Sequence, residues 1–233
     1  MTRVGRDGTI YFGDTSDRFD LVVGADGARG VVRRSLWPQS PPLRSTGITG
    51  WAWIVDCELA TGFGSIWGRH AEFGILPLND GRTYVYGGSR MRGTTLGAFR
   101  DWPASLPELI DAVATEQMIT PEIFEARPPR QLVCGKAVLI GDAAHTMRPT
   151  FCQGAALAME DAITLAYRGT SGLSRRRARM WTLYGASKAG SYFAAPRLAA
   201  LELARNAALR LMPDPLFGFI AGAVSFWPGR PDQ

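Results

Sequence analysis

Apolar and polar positions along the chain change rhythm from one region to the next. TIYFG (9–13) and FDLVVG (19–24) predict short strands around the polar turn Asp14-Thr15-Ser16-Asp17. The second is a nearly unbroken apolar run, as expected of a strand buried on both faces of a parallel sheet. It ends in Gly24-Ala25-Asp26-Gly27, a basic helix-compatible stretch follows to Trp37, and Pro38, Pro41 and Pro42 close the region. From about 44 to 100 aromatics and glycines recur in short bursts, with an Asn79-Asp80-Gly81 hairpin tip, so an antiparallel sheet is predicted. Ser105-Leu106-Pro107-Glu108 has capping-box spacing and predicts a helix to about Met118, before Pro121, Pro128 and Pro129. KAVLIGD (136–142) is a further apolar strand. Helical periodicity then runs from Gln153 to Tyr167 and stops near Gly169. Ser174 is placed to cap a last long helix, kinked by Pro196 and ended by Pro213.

Two apolar strands with parallel-sheet character, an antiparallel insert between them and helices at the end give an α/β fold of two intertwined domains. The boundaries predicted are 1–37 and 131–170 for one domain, 38–130 for the other, and 171–233 for C-terminal helices.

Composition adds bounds. At 233 residues with 46% apolar and 20% charged positions, the chain has the make-up of an ordinary globular protein, not a disordered one. Cys57, Cys134 and Cys152 are odd in number and far apart, which argues against a disulfide framework or a zinc site and for a reducing, cytoplasmic setting. The opening MTRVGRDGTI lacks the apolar core of a signal peptide. The longest apolar stretch, Leu216–Trp227, is about half of a membrane span. The net charge of +5 includes one dense run, Arg175-Arg176-Arg177 with Arg179. Without interleaved aromatics it reads as a solvated helix face, and no nucleic-acid partner is expected.

Two segments repeat one geometry: an apolar strand, an aspartate at its carboxyl end, small residues, then a helix. They are VVGADGARGVVR (22–33) and VLIGDAAHTMRPTFCQGAALAMEDA (138–162). In open α/β sheets ligands gather beyond the carboxyl ends of the strands. A carboxylate there accepts hydrogen bonds from sugar or polyol hydroxyls, and a helix N-terminus offers N–H groups to an electron-rich atom. Either segment alone could be a tight turn, but the pair points to a dinucleotide site.

On these residues the chain resembles the FAD-dependent aromatic hydroxylases, the p-hydroxybenzoate hydroxylase-like flavoprotein monooxygenases. Residues 22–33 look like their Asp-Gly motif and 138–162 like their Gly-Asp motif, while WGRHAEFGILPLNDGRTYVYGG looks like their substrate-domain sheet. The resemblance implies a Rossmann-like FAD-binding domain interleaved with an antiparallel-sheet substrate domain. Gly141 and Asp142 would belong to the FAD site, Asp142 binding the ribityl hydroxyls, Pro149 would line the flavin near its reacting carbon, and Gln153, Gly154 and Ala155 would set a helix N-terminus against the flavin edge. Asp26, Gly27 and Arg33 would serve the pyrophosphate region and NAD(P)H. The family's usual Ser is Gly30 here, its Gly before Gln-Gly is Cys152, and its Asn two residues after Gly154 is Ala156.

The activity implied is NAD(P)H- and O₂-dependent hydroxylation of an aromatic or other electron-rich small molecule. The family opens with a G-x-G-x-x-G turn, and no such turn follows a strand at the head of this chain; Gly62-Phe63-Gly64 lies in the predicted substrate sheet. The expectation is therefore an N-terminally truncated member. Alternatives are an FAD-dependent reductase or dehydrogenase of the same superfamily, and an inactive fragment unable to retain FAD. Other residues are read structurally. His145 belongs to the loop, with acid/base catalysis as the alternative; His70 is a surface residue; Arg82 and Arg90 are surface residues, with recognition of an anionic substrate as the alternative; Glu160-Asp161 serves helix packing and local hydrogen bonding; Cys152 is a small packing residue. Trp51, Trp53, Trp67, Phe73, Tyr84 and Tyr86 are mostly core, and some of them would line a substrate pocket.

Overall fold

The computed structural model describes residues 1–57, 64–103, 105–113 and 117–225. Its strands are β1 Arg3–Val4, β2 Thr9–Phe12, β3 Thr15–Arg18, β4 Val22–Gly24, β5 Arg44–Val55, β6 Gly64–Trp67, β7 Ala71–Pro77, β8 Thr83–Ser89, β9 Glu122–Glu125, β10 Val133–Cys134 and β11 Ala137–Leu139. Its helices are α1 Val31–Leu36, α2 Leu106–Asp111, α3 Asp142–His145, α4 Gln153–Arg175, α5 Arg177–Ala194, α6 Ala199–Leu211 and α7 Asp214–Ser225. The chain divides into two compact units: unit 1 is Met1–Arg44, Phe124–Gly190 and Pro213–Gln233, and unit 2 is Ser45–Ile123 and Ser191–Met212.

In unit 1 the two apolar runs become neighbours. β4 and β11 pair in parallel, Val22 with Ala137, Val23 with Val138 and Gly24 with Leu139, and β10 adds antiparallel to β11. Val22, Ala137, Val138 and Leu139 are buried with Leu157, Leu173, Met180 and Leu183 of α4 and α5. Burial of each such side chain stabilises by about 1.5–3 kcal/mol. The expectation that β4 is buried on both faces fails: Val23 is 41% exposed. The polar stretch 14–17 is not simply a turn either. Thr15–Arg18 forms β3, a fully exposed strand antiparallel to β2. Backbone pairing with β2 compensates for the absence of buried side chains there.

The helical half also departs from expectation. Gly169 breaks the helical dihedrals (φ 60°, ψ −164°), but α4 resumes and reaches Arg175. Ser174 does not cap α5, because its hydroxyl donates back to the Thr170 carbonyl at 3.0 Å.

Unit 2 is built on the predicted antiparallel sheet, in the order β6-β7-β8-β5-β9. Residues 78–82 join β7 to β8, with Gly81 at φ 80°, where an L-residue is strained. One sheet face carries Trp51, Trp53, Phe73, Ile75 and Val85 into a core closed by Phe99, Leu106, Leu109 and Ile110. Tyr84 and Tyr86, from the other alternation, are half-buried and stacked at 5.9 Å. Helix α2 ends at Asp111, and Ser105 provides no side-chain cap despite its spacing. Residues 114–116 on the way to Met118, and Gly62-Phe63, lie outside the described residues, as does the end of the apolar stretch at Trp227. Pro196 interrupts the final helix rather than kinking it, so α6 begins afresh at Ala199. Pro213 ends α6 and opens α7, its carbonyl accepting from Leu216 and Phe217.

Helix α6 is inside out. Arg205 is only 4% exposed and donates to the carbonyls of Phe193, Ala194 and Trp67, while Leu201, Leu203 and Leu211 face outward. The buried guanidinium meets the carbonyls that end α5, where a cation is favourable. Among the described residues no helix is long and apolar enough to cross a membrane.

Candidate functional site

The β4–β11 register sets the site. With Gly24 opposite Leu139, the loops starting at Ala25 and Ile140 leave the sheet at the same end, the carboxyl end of both strands. Those loops carry Asp26 and Asp142.

Asp142 opens α3 directly after Gly141, whose φ of 57° and ψ of −145° suit glycine alone. A Cβ at Gly141 would also lie 3.3 Å from the Ala158 Cβ, so the turn is pressed against α4. Asp142 is exposed, and its carboxylate has no hydrogen-bond or ion-pair partner among the described residues. Pro149 is exposed at the start of a 3₁₀ turn, Thr150–Cys152, in which Phe151 (φ 70°) and Cys152 (φ 53°) both take left-handed conformations. The Phe151 ring fills the space where Gly190 of α5 lacks a Cβ. These two left-handed residues let α4 begin sharply at Gln153 with no side-chain cap and no acid in its first turn. The amides of Gln153, Gly154 and Ala155 therefore open a 23-residue helix whose positive end is uncompensated. Gln153 turns its amide back to the Phe151 carbonyl at 3.1 Å.

Asp26 and Gly30 explain one another. Gly30 occupies the N-cap position of α1 without a side chain, and the Asp26 carboxylate supplies the cap by accepting the Val32 N–H at 3.0 Å. A Cβ on residue 30 would collide with that carboxylate. Gly27 takes φ 79° in the same turn. Arg33 is buried and crosses to the other motif: it donates to the carbonyls of Ala143 at 3.0 Å and Arg127 at 2.9 Å. Burial lowers its pKa from the ordinary arginine value. Arg33 thus fastens the two aspartate-bearing turns together instead of presenting a free charge.

Beneath Gly141 lies a buried polar network around Glu160-Asp161, the pair expected from sequence to serve helix packing and local hydrogen bonding; its partners are distant in the chain. Asp161 Oδ2 accepts the Gly141 N–H at 3.2 Å and meets His145 Nε2 at 2.8 Å, and Oδ1 accepts Arg176 Nε at 3.3 Å. Asp161 and His145 have no solvent exposure. Arg176 also reaches Glu160, which Arg179 grips through Nε and Nη2 at 2.8 and 2.7 Å. Burial would raise the Glu160 carboxyl, but the hydrogen bonds from Arg179 and Arg176 outweigh it and hold the group below its ordinary value. The arginine run is therefore not one solvated face: Arg176 and Arg179 are internal partners. Arg148, also unforeseen, is buried against Glu125 at 2.8 Å and secures the loop ahead of Pro149. An acid pair followed fifteen residues later by arginines was the available signal, but their spacing spans the Gly169 break and fits no single helix face.

In unit 2, Arg82 pairs with Asp80 in the exposed hairpin at 2.6 Å, and Arg90 stands over the Tyr192 ring at 4.2 Å. Trp51, Trp53 and Phe73 are core, whereas Trp67, Tyr84 and Tyr86 are half-buried.

Comparison with known proteins identifies the family and the fold. Residues 13–170 match the family model described as FAD binding domain. The aurachin C monooxygenase/isomerase of Stigmatella aurantiaca is 36% identical over 63% of this chain and 42% of its own length. The 2-heptyl-3-hydroxy-4(1H)-quinolone synthase of Pseudomonas aeruginosa is 33% identical over 86% of this chain and 51% of its own. The chain thus spans about half the length of these curated relatives. Among solved structures, Klebsiella pneumoniae HpxO complexed with FAD and uric acid superposes with a TM-score of 0.79 at 24% identity, over 94% of this chain and 62% of that one. A salicylate hydroxylase substrate complex gives 0.69 at 17%, over 91% and 63%.

Proposed function

The chain belongs to the FAD-binding domain family, and from that premise we propose that it acts in an FAD-dependent monooxygenase using NAD(P)H and O₂ to hydroxylate a small aromatic or electron-rich molecule. The observation that carries this reading is the pairing of an exposed Asp142 carboxylate, without a partner among the described residues, with the uncapped N-terminus of α4, at the carboxyl end of the β4–β11 pair. An acceptor for hydroxyls beside the N–H groups that open a helix fits a polyol joined to an electron-rich ring.

When bound, FAD supplies two-electron transfer from NAD(P)H and insertion of one oxygen atom of O₂ into the substrate, the second leaving as water. The protein's residues bind and orient. Asp142 would accept hydrogen bonds from the ribityl hydroxyls. The amides of Gln153, Gly154 and Ala155 would hold the flavin edge and favour negative charge there, an interaction of about 0.3–2 kcal/mol. Pro149, with no N–H to donate, offers an apolar surface against the ring and helps exclude water. Gly141 holds the turn, and Arg33 holds it to α1 and thereby to Asp26 and Gly27, which we assign to the region of the pyrophosphate and NAD(P)H. Unit 1 is the flavin-binding part under this reading, and the unit 2 sheet is the substrate-binding part.

Titration with FAD, followed by flavin fluorescence, tests the reading. Saturable binding is expected, weakened about 10- to 100-fold by Asp142→Ala, the loss appropriate to hydrogen bonds on a charged acceptor. A chain that binds no flavin, or binds it equally well without the Asp142 carboxylate, refutes the site. Incorporation of ¹⁸O from ¹⁸O₂ into product separates a monooxygenase from a reductase.

A further inference from the structure

The flavin reading leaves half of the arginine run unused. Arg176 and Arg179 turn inward, but Arg175 and Arg177 are exposed. With Arg130 they line two adjoining depressions of unit 1 that share Arg130, Ser174 and Arg177. The larger is an open depression of about 670 Å³, within the range of about 300–1,000 Å³ typical of small-molecule sites. Among the described residues no carboxylate lines either depression. Among the described residues none of the three arginines takes part in an ion pair, in contrast to their neighbours Arg176 and Arg179.

Part of the cleft is already held in place. Arg177 Nη1 donates to the Arg130 carbonyl at 2.8 Å, which restrains one guanidinium and leaves its other N–H groups available. Trp181 forms a wall, 37% exposed, with its ring edge-on to Tyr184 at 6.2 Å. Ser174 spends its hydroxyl proton on the Thr170 carbonyl, so donation into the cleft falls to the guanidiniums. Like charges gathered without an acid repel each other until an anion arrives. Planar guanidinium forks match phosphate oxygens two at a time, and an exposed indole face accepts a stacked base.

We infer that this cleft binds a phosphorylated nucleotide, its phosphate held by Arg130, Arg175 and Arg177 and its base against Trp181. The inference is independent of the flavin reading, since no residue of the cleft belongs to the proposed flavin site.

Calorimetric titration of the full chain with inorganic phosphate, adenosine 5′-monophosphate and adenosine 2′,5′-bisphosphate tests it. Affinity rises in that order. Arg175→Ala and Arg177→Ala each weaken the nucleotides about tenfold, the loss expected of one charge-assisted hydrogen bond. Arg168→Ala, an exposed change elsewhere on α4, leaves them unchanged. Trp181→Leu weakens the nucleotides but not phosphate. Thermal melts of each variant show that it remains folded, and unaltered FAD titration of Arg175→Ala separates this site from the flavin site. The inference is overturned by the absence of saturable binding, by binding indifferent to Arg175→Ala, or by equal affinity for phosphate and nucleotide unmoved by Trp181→Leu. Sedimentation with phosphatidylserine vesicles that bind while free nucleotides do not also overturns it, in favour of a lipid headgroup.

Discussion

Replacing Asp161 with alanine is expected to damage stability and flavin binding together, because this carboxylate supports the turn that presents Asp142. It is fully buried and serves three donors: the Gly141 N–H, His145 Nε2 and Arg176 Nε. Alanine leaves the Arg176 guanidinium with only Glu160 and strands two buried donors. Breaking a buried ion pair from one side costs about 3–5 kcal/mol. For a chain of this size each kcal/mol lowers the melting temperature by about 2–4 °C, so a drop of about 6–20 °C follows. Asp161→Asn keeps an oxygen for Gly141 and loses the charge, and should cost less than half as much. Scanning calorimetry reads the first effect and FAD fluorescence titration at 10 °C the second. Asp161→Ala weakens FAD at least tenfold, because the Gly141 turn is no longer pinned from below. Leu132→Ala serves as the comparison: it empties a buried site in the same core for about 2–5 kcal/mol but removes no hydrogen bond to the turn. The reasoning fails if Asp161→Ala melts within 2 °C of the parent, or if Leu132→Ala weakens FAD as much at equal loss of stability.

Three further expectations follow from the geometry. Glu160 is held below its ordinary pKa, so its contribution is complete above about pH 4.3, the unfolded glutamate value, and is lost as the pH falls through the lower folded value. Melting temperature measured from pH 7 to 3 should fall steeply only at the acid end, and less steeply in Glu160→Gln. Gly30→Ala should cost about 1 kcal/mol in urea unfolding by displacing the Asp26 cap, whereas Gly30→Ser should recover most of it, since a serine hydroxyl at the N-cap can take over the amide. Arg205→Met should lower stability by about 2–4 kcal/mol despite similar volume, because the carbonyls of Phe193, Ala194 and Trp67 lose their donor; an unchanged unfolding midpoint would contradict the inside-out packing of α6.

Much of the fold was readable along the chain because the relevant signals are short in range. The apolar run at 136–142 ends in Gly-Asp and passes into helical periodicity, and glycine and proline mark the ends of elements wherever dihedral freedom or a missing N–H forces them. The Asn79-Asp80-Gly81 tip and the end of α6 at Pro213 are of this kind, whereas Gly169 only breaks a helix that continues to Arg175 and Pro196 separates two helices instead of kinking one. The residues of the candidate site were readable for the same reason: a strand end, a glycine turn and a helix start need only local residues.

Partner choice lay beyond that range. Arg33 meets the Ala143 carbonyl across 110 positions, and nothing near Arg33 announces that its charge is spent inside. The arginine run looked uniform, yet burial of Glu160 and Asp161 drew Arg176 and Arg179 inward and left Arg175 and Arg177 at a cleft. β3 exists because β2 pairs with its backbone, although its side chains carry no strand signal. Alternating residues and helix breakers set the elements themselves. Which charge is buried, and which stays available to a ligand, was decided only when distant segments packed, because desolvation penalises every ion that arrives inside without its counterpart.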